Sequence, residues 1–251
     1  MESSLRKPYQ GIWNIIRFNW HFYVLAAVAI LCMLLIKYFT SFSVIADVMM
    51  ILIGCSIVIS LAVSFYIYDL SGLYKFSWLN NTPLPERIIN IHAGFDETSY
   101  LLQKKFSTAE LQVADFYDPS KHTEVSIKRA RKAYRAHPNT QAISTDHLPM
   151  QAGSADKVFA ILSAHEIRDE KERIAFFKEL GRVLKPSGQI FVTEHLRDTA
   201  NFLAYNVGFF HFHSKSSWLN TFGQAGLKVS KQVKITPFIT TFILEKNGTA
   251  S

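Results

Sequence analysis

The sequence predicts an α/β protein: a doubly wound, mostly parallel seven-stranded sheet with helices on both faces, preceded by a two-helix transmembrane hairpin. Three observations carry this expectation. Two charge-poor apolar runs occupy much of the first 70 residues. Strand and helix patterns then alternate from about residue 87, which implies right-handed crossovers and parallel strands. Two strand patterns follow each other at the end of the chain, which implies an antiparallel edge.

Composition narrows the class. Of 251 residues, 49% are apolar and 19% charged, and Phe alone accounts for 20. A disordered tail, a collagen-like repeat and a nucleic-acid arm are all too poor in large apolar residues to match. The net charge of +7 divides as +2 over residues 1–78 and +5 over 79–251. That excess suits a protein held near an anionic membrane face, and it is too scattered to point to nucleic acid. Cys32 and Cys55 both fall in the apolar runs and read as small hydrophobes, not as a disulfide framework.

The domain division expected is an N-terminal segment 1–78 with spans at about 18–37 and 48–68, then a soluble domain 79–251. Each run approaches or reaches the roughly 20 residues that cross a 30 Å hydrocarbon core as a helix. A cleaved leader fits poorly, because the first run starts late and a second follows almost at once. Arg6, Lys7 and Arg17 precede the first run and Lys75 follows the second. The positive-inside rule then places both ends, with the soluble domain, on the cytoplasmic side of an inner membrane. Residues 7–18 suggest an amphipathic lead-in lying on the membrane. Asp47 and Asp69 sit at the span ends and read as headgroup-level carboxylates. With no charge inside either span, an anchor fits better than a transporter.

The segment 80–85, Asn-Asn-Thr-Pro-Leu-Pro, reads as a linker. Strands are expected at 87–92, 112–115, 141–144, 156–164, 189–195, 228–236 and 239–246. Helices are expected at 97–106, 120–136, 169–184 and 216–225. The third of these carries Ile174, Phe177, Leu180, Val183 and Leu184 on one face, and Lys185-Pro186-Ser187-Gly188 should end it. The second is basic, with six Lys/Arg and one acid over 121–135, either a solvated face or a headgroup contact. In such sheets ligands bind beyond the carboxyl ends of the strands, so the site should follow strands one, two, four and five.

The order of motifs over about 87–246 resembles the class I S-adenosylmethionine-dependent methyltransferases, a Rossmann-like family. Ser154-Ala155-Asp156-Lys157-Val158-Phe159 looks like that family's entry to strand four. The run 179–189, Glu-Leu-Gly-Arg-Val-Leu-Lys-Pro-Ser-Gly-Gln, looks like its helix–turn–strand signature. Asp146-His147-Leu148-Pro149-Met150 resembles its L-P-F segment. The first glycine loop departs from the pattern: Asn90-Ile91-His92-Ala93-Gly94-Phe95-Asp96 keeps only Gly94. Asn90 stands where the family has an acid, and His92 where it has the first glycine. The resemblance implies S-adenosylmethionine as cofactor, with Asn90, His92, Gly94, Asp96, Asp118, Asp146, His147 and Ser163 as its contacts. Asp96 or Glu97 would supply a carboxylate to the cofactor's ammonium. Asp118 would bind the ribose hydroxyls, with Asp115 as the register alternative.

The chemistry is expected at two strand ends. Strand four runs into Ser163-Ala164-His165-Glu166, and strand five into Thr193-Glu194-His195. His165 and His195 are candidate general bases, and Glu194 a group that orients a histidine. The aromatic stretch 201–214 holds four Phe, Tyr205, His211 and His213. With Arg197 it would bind the acceptor, against the alternative of an aromatic core helix. His211 and His213 alone do not make a metal site, and no metal is expected. The function expected is methyl transfer to a lipophilic acceptor (a quinol, a phenolic lipid or a phospholipid headgroup), with the lipid bilayer as partner and no nucleic acid. A non-catalytic, membrane-tethered domain of the same fold is the alternative.

Overall fold

The structure, a computed structural model, describes residues 6–79 and 83–248. Residues 80–82 of the expected linker lie outside the described residues.

Helix α1 (Gln10–Phe18) is followed by α2 (Trp20–Phe39) and α3 (Ser43–Phe65). Both α2 and α3 are long and apolar enough to cross a membrane; 20 and 23 residues reach about 30 and 35 Å at 1.5 Å per residue. A core helix buries an apolar stripe, yet α2 buries no residue and α3 buries only Ala46 and Ser64. Leu25, Leu31, Ile51 and Val58 all face outward. At the hairpin turn Lys37 Nζ pairs with Asp47 at 2.7 Å.

Asp69 behaves otherwise. It accepts the backbone N–H groups of Gly11 and Ile12, both at 2.8 Å, and so caps α1, whose own preceding residue Tyr9 makes no side-chain cap. The expected headgroup-level role is therefore replaced by a structural one. The expected membrane-surface lead-in is likewise replaced by a packed helix. Asn14 and Phe18 of α1 are buried, and Asn14 exchanges hydrogen bonds with Glu97 and Tyr134.

Beyond α3 the chain coils through short helical turns that bury Ile67, Leu73, Phe76 and Leu79. Phe76 and Leu79 join Ile88, Phe106, Phe159 and Phe191 in one core cluster. Burial of such side chains contributes roughly 1.5–3 kcal/mol each. The core of the sheet therefore reaches back before residue 79.

The sheet comprises β1 (Arg87–His92), β2 (Glu110–Asp115), β3 (Thr140–Ala142), β4 (Ala155–Ile161), β5 (Leu184–His195), β6 (Leu227–Thr236) and β7 (Ile239–Lys246). Their spatial order is β3-β2-β1-β4-β5-β7-β6. β1 to β5 are parallel, and β7 runs antiparallel between β5 and β6. The crossovers carry α4 (Ser99–Lys105), α5 (Val125–Ala133) and α6 (Glu170–Val183). After β5 come α7 (Thr199–Tyr205), a 3₁₀ turn (Asn206–His211) and α8 (Lys215–Gln224). One face packs on Phe176, Phe177 and Leu180 of α6 and Trp218 and Phe222 of α8; the other packs on α4 and residues 76–79.

Two elements differ from expectation. The basic helix is only Val125–Ala133, because Asp118 to His122 are tied into a turn by Asp118 bonding Ser120 and His122. The segment 185–188 ends α6 but continues as extended chain, so β5 starts at Leu184. The register shifts between Ala155↔Leu184 and Lys157↔Gln189, and a Cβ on Gly188 would lie 3.0 Å from the Ala155 carbonyl oxygen.

Candidate active site

Register places the strand ends together: His92 pairs with Asp115, Ile91 with Ala160, and Ile161 with Thr193. Above these ends lies a cavity of about 810 Å³, within the range of small-molecule sites. Strand-end residues Leu162, His165, Glu166 and His195 form one wall, and the loop Ala93–Thr98 adjoins it. Asn14 and Phe18 of α1, Tyr23 of α2, and Ser56, Ser60 and Ser64 of α3 form the opposite side. Tyr205, His211 and Phe212 close the end. A smaller concavity of about 300 Å³ among Glu86, Glu110 and Lys185 lies where the strands start, away from the end at which such sheets bind ligands.

At the end of β4, Leu162 adopts φ +51°, a left-handed conformation costly for a branched-chain residue. It turns the chain so that Ser163 and His165 offer their N–H groups to Glu194 Oε1, both at 3.2 Å. Glu194 Oε2 lies 2.6 Å from His165 Nδ1. The Glu194 carboxylate is fully buried, and these three partners compensate its desolvation. Burial alone would lower the pKa of His165, but Glu194 and Glu166 outweigh it and raise it to about 10. Burial would raise Glu166, but His165 and His211 hold it well below the usual carboxylate range. Ser163 donates its hydroxyl to the Ile91 carbonyl.

His195 is held differently. Asn201 Nδ2 donates to Asp198 and to the Phe238 carbonyl, so its Oδ1 accepts from His195 Nδ1 at 2.9 Å. That fixes the tautomer and leaves Nε2 to accept from the Tyr68 hydroxyl at 2.9 Å. The ring stacks on Phe212 with centroids 4.7 Å apart. Burial lowers the pKa of His195 to about 4, despite the Asn201 bond. His195 is thus neutral, with both nitrogens engaged.

The loop after β1 carries the one retained glycine, Gly94, at φ +86°, where a side chain is strained. A Cβ there would stand 2.7 Å from Arg131 Nη1 and 3.0 Å from Tyr117 Cδ2. Asp96 caps α4 through the N–H groups of Thr98 and Ser99. Glu97 accepts from Arg6, Gln10, Asn14 and Tyr74, which ties α1 over the loop. Asn90 Nδ2 donates to Thr98 and Ser99, while its buried Oδ1 has no partner. His92 Nδ1 accepts from Gly94 N–H, so Nε2 carries the proton and is also buried without a partner. Burial lowers the pKa of His92.

Asp115, not Asp118, is the carboxylate at the end of β2, and it is ion-paired with Arg131 at 2.6 Å. Asp118 accepts the backbone N–H and the hydroxyl of Ser120, which lowers its pKa. Asp146 is exposed, as is His147, and accepts from Ser144; neither lines the cavity. The hydroxyl of Tyr205, on the cavity wall, is buried beside the Ser64 hydroxyl. Arg197 turns away from the cavity and clasps the Phe210 and Phe212 carbonyls. His213 meets Arg173 at 3.2 Å and the Trp218 ring, and burial among these groups lowers its pKa to about 3. His211 instead faces the cavity beside Glu124, Glu166 and Arg168. Sequence reasoning missed Glu124, Tyr68 and Arg131, each far in sequence from the group it serves.

Residues 109–192 match a family model described as a methyltransferase domain. That stretch is about a third of the chain, and the sheet around it has the fold of the class I S-adenosylmethionine-dependent methyltransferases. Among solved structures it is similar to the PH0226 protein of Pyrococcus horikoshii, with 14% identity and a TM-score of 0.52 over 69% of this chain and 88% of that one. It is also similar to an S-adenosylmethionine-dependent methyltransferase of Clostridium acetobutylicum, with 11% identity and a TM-score of 0.51 over 70% and 90%. No curated protein matches this chain. The cofactor indicated is S-adenosylmethionine. The unpartnered Asn90 Oδ1 and His92 Nε2 fit a ligand rich in donors and acceptors such as this one, whereas Arg131 and Tyr117 occupy the space above Gly94, and Asn90, His92 and Gly94 do not line the cavity.

Proposed function

We propose that this methyltransferase is anchored in a bilayer by α2 and α3 and acts on a lipophilic acceptor. The observation that carries the reading is the shared cavity: Tyr23, Ser56 and Ser60 of the two apolar helices stand on its wall together with His165 and His195. An acceptor dissolved in the bilayer reaches the strand ends without crossing water. A quinol, a phenolic lipid or a phospholipid headgroup meets this description. The charge pattern around the spans favours both ends on the cytoplasmic side.

When bound, the cofactor supplies an electrophilic methyl group. Asn90, His92 and Gly94 would hold its amino-acid end, and Asp115 suits its ribose hydroxyls better than Asp118, being at the strand end. His165, backed by Glu194, faces the acceptor, and Tyr205 offers it a hydroxyl. His195 acts through Tyr68 as a positioning residue, because neither of its nitrogens is free. The test is a comparison of membrane lipids extracted from cells with and without the gene. A species heavier by one methylene only when the gene is present supports the reading, and identical extracts overturn it.

A second reading has its own observation. Arg131 and Tyr117 fill the space above Gly94, and Arg131 occupies Asp115, an arrangement suited to a non-catalytic domain. Calorimetric titration of the purified chain with S-adenosylmethionine separates the two, since a non-catalytic domain of this kind gives no binding heat.

A further inference from the structure

We propose that His165, Glu166 and His211 form a divalent-metal site whose open position faces the cavity. The spacing of His211 and His213 argued against a metal, but the fold pairs His211 with a different strand end. His165 Nε2 lies 3.2 Å from Glu166 Oε1, and His211 Nε2 lies 3.6 Å from the same oxygen. One donor atom from each of the three falls within 4.8 Å of the others. Ligands bound tetrahedrally at 2.0–2.1 Å are separated by about 3.4 Å, so each histidine already stands at coordination spacing from Glu166, and the two histidines lie within 4.8 Å of each other.

The remaining nitrogens support the same conclusion. His165 Nδ1 is held by Glu194 at 2.6 Å, and His211 Nδ1 by Glu124 at 2.8 Å. Each imidazole is therefore backed by a carboxylate and turns its Nε2 toward the shared oxygen of Glu166. This is the carboxylate–histidine–metal arrangement, in which the outer group fixes the tautomer and strengthens the ligand. Two imidazoles and one carboxylate select zinc or a neighbouring first-row ion over magnesium or calcium. Three protein ligands leave a fourth position for water or substrate, as in catalytic sites. His165, Glu166 and His211 all line the 810 Å³ cavity, so that position is open to the acceptor. An ion there would take the acceptor's oxygen and hold it as an oxyanion. That role rests on the methyltransferase reading; the binding does not. Arg168 lies against both ring nitrogens of His211 and 3.7 Å from Glu124. Its side chain is 43% exposed, which leaves it room to swing aside when the ion enters.

The test uses the full chain purified in detergent, stripped with chelator, and titrated with Zn²⁺ by calorimetry, with metal content measured by elemental mass spectrometry. The expected result is one ion per chain. His211→Ala should weaken binding at least tenfold and Glu194→Gln by roughly 10–100-fold. His213→Ala should bind as the unaltered protein does, and Arg168→Ala as tightly or more tightly. No binding heat, or equal losses in His211→Ala and His213→Ala, overturns the site. Titrating S-adenosylmethionine into the same samples separates the two readings: cofactor binding without zinc binding sinks only the metal site. Zinc binding without cofactor binding sinks only the methyltransferase reading.

Discussion

The Tyr68 hydroxyl lies 2.9 Å from Nε2 of His195, which joins the chain leaving the second apolar helix to the end of the fifth strand. The apolar helices are thus coupled to the carboxyl end of the parallel strands through a part-buried hydrogen bond. Tyr68→Phe removes the donor and leaves a buried imidazole nitrogen unpaired, at a cost of about 1–3 kcal/mol. Thermal melting in detergent should show a lower Tm. An unaltered Tm would mean that the hydroxyl contributes nothing to the docking of the helices.

The same histidine sets an acid limit on stability. Its folded pKa is depressed to about 4 by burial, against about 6.5 when unfolded. Between those values the unfolded chain binds more protons than the folded one, so stability falls as pH drops from about 6.5 toward 4. The contribution is fully present above pH 6.5 and is on the order of 3 kcal/mol. Denaturant midpoints measured from pH 7 to pH 4 should fall, and His195→Gln should flatten the curve. An equally steep curve in that variant would assign the acid sensitivity to other groups.

Asp115 and Asp118 make opposite predictions for cofactor binding. Asp115 is buried at the end of β2 and paired with Arg131, whereas Asp118 bonds the turn at Ser120. Asp115→Ala should weaken S-adenosylmethionine at least tenfold, consistent with loss of a charge-assisted pair of about 1.5–3 kcal/mol. Asp118→Ala should change it by less than about threefold, which is within 1 kcal/mol. Arg131→Ala should leave affinity intact or raise it, because it clears the space over Gly94. Calorimetric titration reads all three, and a larger loss in Asp118→Ala would restore the motif-based register.

These cases show what the sequence makes legible. Alternating strand and helix patterns were enough for the parallel sheet, and two adjacent strand patterns for its antiparallel edge, because periodicity is local. Strand ends carrying His165, Glu194 and His195 followed from topology. Partners remote in sequence did not. Nothing near Asp69 points to the amides of α1, 57 and 58 residues away. Spacing could offer His211 only His213, two residues on, whereas the fold supplies Glu166 and Glu124. The Asp118 assignment followed motif order, which cannot see that β2 ends three residues earlier.

Asp69 offers a direct test of how α1 is held. Its two carboxylate oxygens each accept one N–H from the first turn of α1, the role an N-cap side chain plays within a helix. Gly11 permits the approach, since a Cβ there would come 2.3 Å from Tyr68 Cβ. Asp69→Ala should cost about 0.5–2 kcal/mol and free α1 from the loop where Glu97 binds it. Limited proteolysis should then cut at Lys7 or Arg17 several-fold faster than in the unaltered chain. Gly11→Val should do the same by collision, while leaving the carboxylate in place. Asp47→Ala is the contrast, because its partner Lys37 is 44% exposed and such pairs contribute less than about 1 kcal/mol. If Asp47→Ala accelerates cleavage as much as Asp69→Ala, α1 is not held by its cap, and the contacts of Glu97 must carry it alone.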